Sequence, residues 1–321
     1  MILLSIGIPT FKSNQTLLRL LESIFVQLEF ENINKFEIVI SDNDPDSQVM
    51  SLLNSKFSSS ELKIIRYHLN LTNIGYDKNL ENLRQMANGK YLKIVSDDDI
   101  LDNGYISNHL KTLVNKNPDI VVNEFQTFHL NQPESLEKSF PQGSKYYVPP
   151  WSFPKLQELN GRFGQVSSLT FRLSLLRQIP DQPVKTNDVH LFWFYSLLEN
   201  SNLVYEKKIT IFCQLGSPNF SSNSVEIVIH PFGQIKAARL ANIQNLELRK
   251  KVIRTYQNYA LQQLRIIPNL TFTQKRSVFQ KLYLELFYSL PTSLLYLPFF
   301  LVPKTVKMQL GRFMKDKSKT Y

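Results

Sequence analysis

The sequence predicts an α/β protein with a mixed, mostly parallel sheet flanked by helices and a C-terminal helical appendage. Short runs rich in β-branched residues recur four times in the first hundred residues, and segments with helical spacing separate them. Polar clusters close three of those runs. Strands that alternate with helices argue for parallel pairing, because a parallel connection needs a crossover.

Taken in order, Ile2 to Ile8 reads as a first strand closed by Pro9, and Asn14 to Phe25 as a helix with Leu17, Leu18, Leu20, Leu21, Ile24 and Phe25 on its apolar face. Phe36 to Ile40 is the second strand and ends in Ser41-Asp42-Asn43-Asp44-Pro45-Asp46. Leu62 to Tyr67 is the third. Asn73-Ile74-Gly75 leads into a helix from about Tyr76 to Ala87, Asn88-Gly89 turns the chain, and Lys90 to Val95 forms the fourth strand. Residues 125–160 carry Pro133, Pro141, Pro149, Pro150 and Pro154 and read as an irregular insertion, while Gly161 to Arg172 reads as a loop followed by a strand. Asn187-Asp188 precedes the apolar, helix-like run Val189 to Leu198. From Phe232 to Leu264, glutamine, leucine and basic residues recur at helical spacing. The expected organisation is one unit over 1–225, with halves 1–100 and 101–225, and a helical region over 226–321.

With 321 residues, 43% of them hydrophobic, the chain has the composition of a globular protein and not of a disordered one. A single cysteine, Cys213, excludes an internal disulfide framework and any CxxC metal site. The histidines show no metal-ligand spacing, which speaks against a zinc site. Met1 to Pro9 lacks a basic leader and a cleavage site and reads as a strand, so a reducing, cytoplasmic setting is expected. The net charge of +10 is uneven: from Lys304 onward six basic residues face only Asp316, half of the whole excess. No nucleic-acid recognition module accompanies that charge, so nucleic acid is not the expected partner. Leu282 to Val302 is strongly apolar but is broken by Glu285, Pro291 and Pro298. Helices lying in a membrane interface, followed by the basic tail, fit this pattern. Packing on the core or in a homodimer is the competing reading.

Ser96-Asp97-Asp98-Asp99 is the most informative run. It places three carboxylates side by side where an apolar strand ends. Crowded carboxylates each favour taking up a proton unless a cation lies between them, and oxygen-only ligands suit Mg²⁺ or Mn²⁺. The alternative is a helix N-cap at Asp99, ahead of Ile100-Leu101. In parallel sheets ligands bind beyond the carboxyl ends of the strands. The clusters Pro9-Thr10-Phe11, Ser41 to Asp44 and Ser96 to Asp99 should therefore converge.

Four segments, Ser5 to Phe11, Glu37 to Asn43, Asn73 to Asn79 and Gly89 to Asp99, resemble in order and spacing the inverting family 2 nucleotide-sugar glycosyltransferases of the GT-A fold, a Rossmann-like architecture. The resemblance covers roughly residues 1–200. It implies a nucleotide-binding half over 1–100, with donor contacts from Pro9, Thr10, Phe11, Asn73 and Gly75. By the same resemblance Asp42 would accept a base N–H, as from uracil, Asp97 would reach the ribose, and Asp98 with Asp99 would hold the metal. Ser96 stands where the family has its first acidic residue, which leaves the ligand among the three carboxylates open. Lys78 would lie near the diphosphate or be a solvated helix lysine.

Asn187-Asp188 resembles the family's Glu-Asp motif, whose Asp takes the proton of the acceptor hydroxyl, although Asp188 also stands where a helix N-cap would. Ser167, Ser168 and His190 are the expected acceptor or sugar pocket, with His190 otherwise a packed core residue. The function implied is transfer of a sugar from a nucleotide donor, of UDP type, to a saccharide acceptor. The apolar segment and basic tail point to a polyprenyl-linked acceptor at the inner face of the cell membrane, in capsule, O-antigen or exopolysaccharide assembly. The alternatives are a non-catalytic nucleotide-sugar-binding or scaffold protein, and a nucleotidyltransferase, for which Gly7 to Lys12 is a poor phosphate loop.

Overall fold

Seven consecutive buried residues make each of the two central strands, β1 (Leu4–Thr10) and β2 (Phe36–Asp42). Strands covered on both faces read as continuous apolar runs, and polar side chains survive in them only where they find partners. Ser5 and Glu37 are such a pair, hydroxyl to carboxylate at 2.6 Å. The computed structural model describes residues 1–28, 34–129, 143–181, 186–215, 224–241 and 243–263.

Between and after these strands come α1 (Asn14–Phe25), α2 (Val49–Lys56), α3 (Ser59–Leu62), β3 (Ile65–Leu69), α4 (Tyr76–Met86), β4 (Tyr91–Ile94), β5 (Ile100–Leu101), α5 (Tyr105–Lys116), β6 (Ile120–Asn123) and β7 (Gln126–His129). They are followed by β8 (Ser144–Tyr147), α6 (Phe153–Gln157), β9 (Leu169–Arg172), α7 (Leu173–Leu176), α8 (Val189–Leu198), β10 (Leu203–Glu206), β11 (Ile211–Leu215), α9 (Ser224–Leu240) and α10 (Leu246–Gln263). The main sheet has the order β3-β2-β1-β4-β9-β6-β10-β8. Its first four strands are parallel, and β9 runs antiparallel between β4 and β6. The strand order reverses beside β1: the chain builds outward to β2 and β3, then returns to lay β4 on the other flank. A smaller sheet has the order β5-β11-β7.

The chain divides into two units, residues 1–183 with 197–215, and residues 184–196 with 216–321. Both sheets belong to the first. Its apolar core lies between the sheet and helices α1, α2 and α5, with Leu17, Leu20, Leu21 and Ile24 of α1 buried against Ile6, Ile38 and Ile40. In the second unit α9 and α10 carry the helical pattern, with α9 beginning before Phe232.

Two local expectations change. Asp99 is not a helix cap: Ile100 and Leu101 pair with Phe212 and Ile211, and α5 starts only at Tyr105 after Gly104. The third strand starts at Ile65 because Ser58 and Glu61 form a reciprocal capping box that draws the preceding residues into α3. Among the described residues no helix is long and apolar enough to cross a membrane. Leu282 to Val302 and the basic tail lie outside the described residues.

Gly89, at the turn into β4, sits directly on β1. Its N–H donates to the Ser5 hydroxyl at 2.8 Å, and the Asn88 N–H donates to Glu37 at 2.6 Å. A Cβ at Gly89 would stand 2.6 Å from the Ser5 backbone nitrogen. Gly89→Ala should therefore destabilise the protein by about 1–3 kcal/mol through overpacking. Denaturant unfolding measures this, and an unchanged midpoint would show that the turn can move away from β1.

Candidate active site

The carboxyl ends of the parallel strands are sewn together. The Thr10 hydroxyl at the end of β1 donates to Asp97 Oδ2 beyond β4 at 2.6 Å. The Asn43 N–H donates to the Thr10 carbonyl at 2.9 Å, and the Asn70 N–H to the Asp42 carbonyl at 2.8 Å. The three polar clusters thus meet in the crevice where the strand order reverses.

Within the acidic run the three carboxylates face different surroundings. Asp97 accepts from Thr10 and also from the Ser13 hydroxyl and the Phe11 N–H, while burial, together with the charge of Asp98, pushes its carboxyl up to about 7. Asp99 is 1% exposed, and its Oδ1 accepts the Gln214 N–H at 3.0 Å. Burial and then Asp98 raise its carboxyl as well. Asp98 is half-buried. Its backbone carbonyl is held by Arg19, whose guanidinium also donates to Gln214 Oε1 at 2.5 Å and lies over the Phe128 ring.

Beneath this run lies a buried polar floor. The Lys93 ammonium donates to the Ser167 carbonyl and, at 3.2 Å, to Asn123 Oδ1. Burial lowers its pKa, against the opposing pull of Cys213 and Asp99. The Ser167 hydroxyl accepts the Ser96 N–H at 2.8 Å, so the floor reaches the first residue of the acidic loop.

Other expected positions fall as follows. Asp42 is 1% exposed; its Oδ1 accepts the Asp44 N–H at 2.9 Å and its Oδ2 the Tyr67 hydroxyl at 2.8 Å. Both oxygens thus hold the turn after β2, and a base N–H would reach this carboxylate only as a further donor. Pro9 is buried within β1 and Phe11 is half-buried beyond it. The Asn73 side chain accepts the Gly75 N–H at 2.9 Å, and Asn43 donates to the Gly75 carbonyl at 3.2 Å, which fixes the entry to α4. Lys78 is exposed on the first turn of that helix. Ser167 and Ser168, expected in the acceptor or sugar pocket, are wholly buried. Ser167 supports the acidic loop, and Ser168 donates to the carbonyls of Arg162 and Gln165, both at 2.7 Å.

Asp188 lies in the second unit. It occupies the N-cap position of α8, with its backbone carbonyl accepting from the Leu191 and Phe192 N–H groups at 2.9 and 3.2 Å. Its carboxylate, however, turns to His230, with Nε2 at 3.2 Å from Oδ1. His190 is buried on α8.

Among the described residues no three His, Cys, Asp or Glu side chains are grouped to hold a metal. The donor set nonetheless fits a divalent ion that arrives with a substrate, because Mg²⁺-type ions take one or two carboxylates and complete their shell with phosphate oxygens and water. Asp98 offers that carboxylate, and its charge is the one that raises both neighbours. Sequence reasoning missed Arg19, Lys93, Tyr67, Asn70 and His230. Of these only Lys93, a lysine inside an otherwise apolar strand, carried a local signal.

The family model for glycosyl transferase family 2 matches residues 5–178. A search of curated proteins found no match. Among solved structures, Staphylococcus aureus TarS 1–349 is 14% identical, with a TM-score of 0.61 over 88% of this chain and 79% of that one. The same protein in complex with UDP-GlcNAc is 15% identical, with a TM-score of 0.55 over 97% and 92%. The mannosyltransferase PcManGT from Pyrobaculum calidifontis, in complex with GDP-Man and Mn²⁺, is 12% identical, with a TM-score of 0.52 over 95% and 86%.

The buried carboxyls set a pH dependence. Asp97 titrates at about 7 in the fold against an ordinary 3.8, and Asp99 shifts the same way, so the folded protein keeps protons that the unfolded chain has released. Their contribution is present below the unfolded value and is lost as pH rises through about 7. In EDTA the melting temperature should fall between about pH 5 and pH 7.5, and Asp99→Asn should flatten that slope. A slope identical in wild type and variant would mean that Asp99 does not titrate in this window.

Proposed function

The chain belongs to glycosyl transferase family 2, and on that premise we propose that it is a divalent-metal-dependent, inverting glycosyltransferase of the GT-A fold that takes its sugar from a nucleoside diphosphate donor of UDP type. The observation that supports this reading most is the Thr10–Asp97 contact, which brings the ends of β1 and β4 together at the reversal of strand order and leaves Asp98 between two carboxyls that its charge perturbs. The solved relatives that carry UDP-GlcNAc, or GDP-Man with Mn²⁺, support a nucleotide-sugar donor.

In this reading the turn after β2, held by Asp42 and Tyr67, receives the base. Thr10, Asp97 and the Asn73–Gly75 segment border the ribose and diphosphate. Asp98 is the carboxylate for the metal, which when bound neutralises the charge that builds on the departing diphosphate. Asp99, turned inward to the Gln214 N–H, fixes the loop from below. Asp188 takes the proton of the attacking hydroxyl as its oxygen bonds to the anomeric carbon. A saccharide acceptor carried on a lipid is supported by the interrupted apolar segment 282–302 and the basic residues that follow it.

Asp98→Asn removes a charged ligand without changing size, so it should abolish transfer and the metal-dependent part of nucleoside diphosphate binding. Calorimetry with UDP and Mn²⁺ reads the second effect, and full wild-type activity in EDTA would count against the proposal. Asp188→Asn should leave donor affinity within about twofold while turnover drops by a factor on the order of a hundred or more. A parallel loss of both would make Asp188 a donor ligand or a structural cap. For the membrane reading, removal of residues 304–321 should weaken cosedimentation with phosphatidylglycerol vesicles, most at low salt. Equal binding by the full and shortened chains would assign the tail elsewhere.

A further inference from the structure

The two oxygens of Asp188 are not equivalent. Oδ1 lies 3.2 Å from His230 Nε2, whereas Oδ2 accepts no hydrogen bond among the described residues although the carboxylate is 1% exposed. Buried carboxylate oxygens are normally satisfied, so an unsatisfied one is a cost that needs a reason. Helix α9 delivers His230 and then, three residues on, Gly233. A Cβ at Gly233 would stand 2.5 Å from Oδ2 and 2.3 Å from the Thr186 carbonyl. The helix backbone can pack on the carboxylate only because this residue has no side chain. On its chain side Asp188 is held by the Thr186 hydroxyl, which accepts the Asp188 N–H at 3.0 Å. The Tyr195 and Tyr256 hydroxyls, 2.8 Å apart, feel its charge, since Asp188 contributes to raising both phenols.

We propose that His230 is a positioning residue for Asp188: its Nε2–H binds Oδ1 and fixes the plane of the carboxylate that takes the proton of the acceptor hydroxyl. This rests on the reading of Asp188 as the general base. An ionised carboxylate only accepts, so the ring nitrogen facing it carries the hydrogen. During transfer the acceptor O–H bond breaks and its proton goes to the Asp188 carboxylate. The acceptor oxygen bonds to the anomeric carbon, and the bond from that carbon to the diphosphate breaks, with its electron pair leaving on the diphosphate. His230 keeps its own proton throughout. Its contribution is orientation, and a small misplacement of a reacting group costs up to about a hundredfold in rate.

The test uses the full chain and hydrolysis of the nucleotide sugar that wild type cleaves best from a panel of UDP- and GDP-sugars with Mn²⁺. His230→Leu should lower kcat about tenfold to a hundredfold with donor Kd unchanged, and His230→Gln, whose amide still donates, should recover most of that loss. In an Asp188→Asn background, His230→Leu should cost nothing further, because the group it positions is gone. Independently of turnover, ¹⁵N imidazole spectra should show His230 as the Nε2–H tautomer, with that preference weakened in Asp188→Asn. If Asp188→Asn turns over like wild type, the base reading itself falls. If Asp188→Asn is inactive but His230→Leu matches wild type, or loses donor affinity in step with rate, or if the imidazole tautomer ratio ignores Asp188, only the role of His230 is overturned. Should His230→Leu fail to fold by circular dichroism, the glutamine variant and the spectra decide.

Discussion

Three neighbouring carboxylates at the end of β4 repel one another, and the surrounding structure is arranged around that repulsion. Burial raises the carboxyls of Asp97 and Asp99, with the charge of Asp98 adding to both, and the fold gives each different company. Asp97 receives a hydroxyl from β1 and donors from the turn beyond it. Asp99 points down to a backbone N–H of β11 and into the field of Lys93. Asp97 and Asp98 are both half-buried, and only Asp99 is withdrawn into the interior.

The loop is stiffened from several directions at once. Lys93 reaches up from β4 to the Ser167 carbonyl, the Ser167 hydroxyl takes the Ser96 N–H, and Arg19 of α1 grips the Asp98 carbonyl. Each contact joins segments more than 70 residues apart in sequence. A buried cation would be costly on its own, and Lys93 is tolerated because oxygens of Ser167 and Asn123 surround its ammonium and an aromatic face, that of Tyr105, lies 5.6 Å away. The same logic holds after β2, where Asp42, Tyr67, Asn43 and Asn70 satisfy one another and present a rigid turn. A polar site on rigid strand ends can hold a charged donor without first having to order itself.

The second unit treats its carboxylate differently. Asp188 has one oxygen satisfied by His230 and one left without a donor, under a helix whose close approach depends on Gly233. Stability alone would favour a fully satisfied carboxylate or an apolar residue there. The base role proposed for Asp188 needs a carboxylate held in a fixed direction, which the His230 contact supplies.

By itself the sequence determined the order of the first four strands and their helices, since each is a local pattern of apolar spacing closed by turn residues. It also located the acidic run, Thr10 and Asp188, because carboxylates and hydroxyls at strand and helix ends stand out against apolar segments. What each does was decided by tertiary structure. Asp99 read equally well as a helix cap until β11 came to pair with the residues after it. That the Ser167 carbonyl meets Lys93 and the Ser168 hydroxyl the Arg162 and Gln165 carbonyls could not be read from the sequence. His230 and Gly233 carried no signal at all, since their meaning is a contact with a carboxylate more than forty residues away. Local periodicity is written in neighbouring residues, whereas hydrogen-bond partners across 30 to 115 residues exist only once the chain has folded.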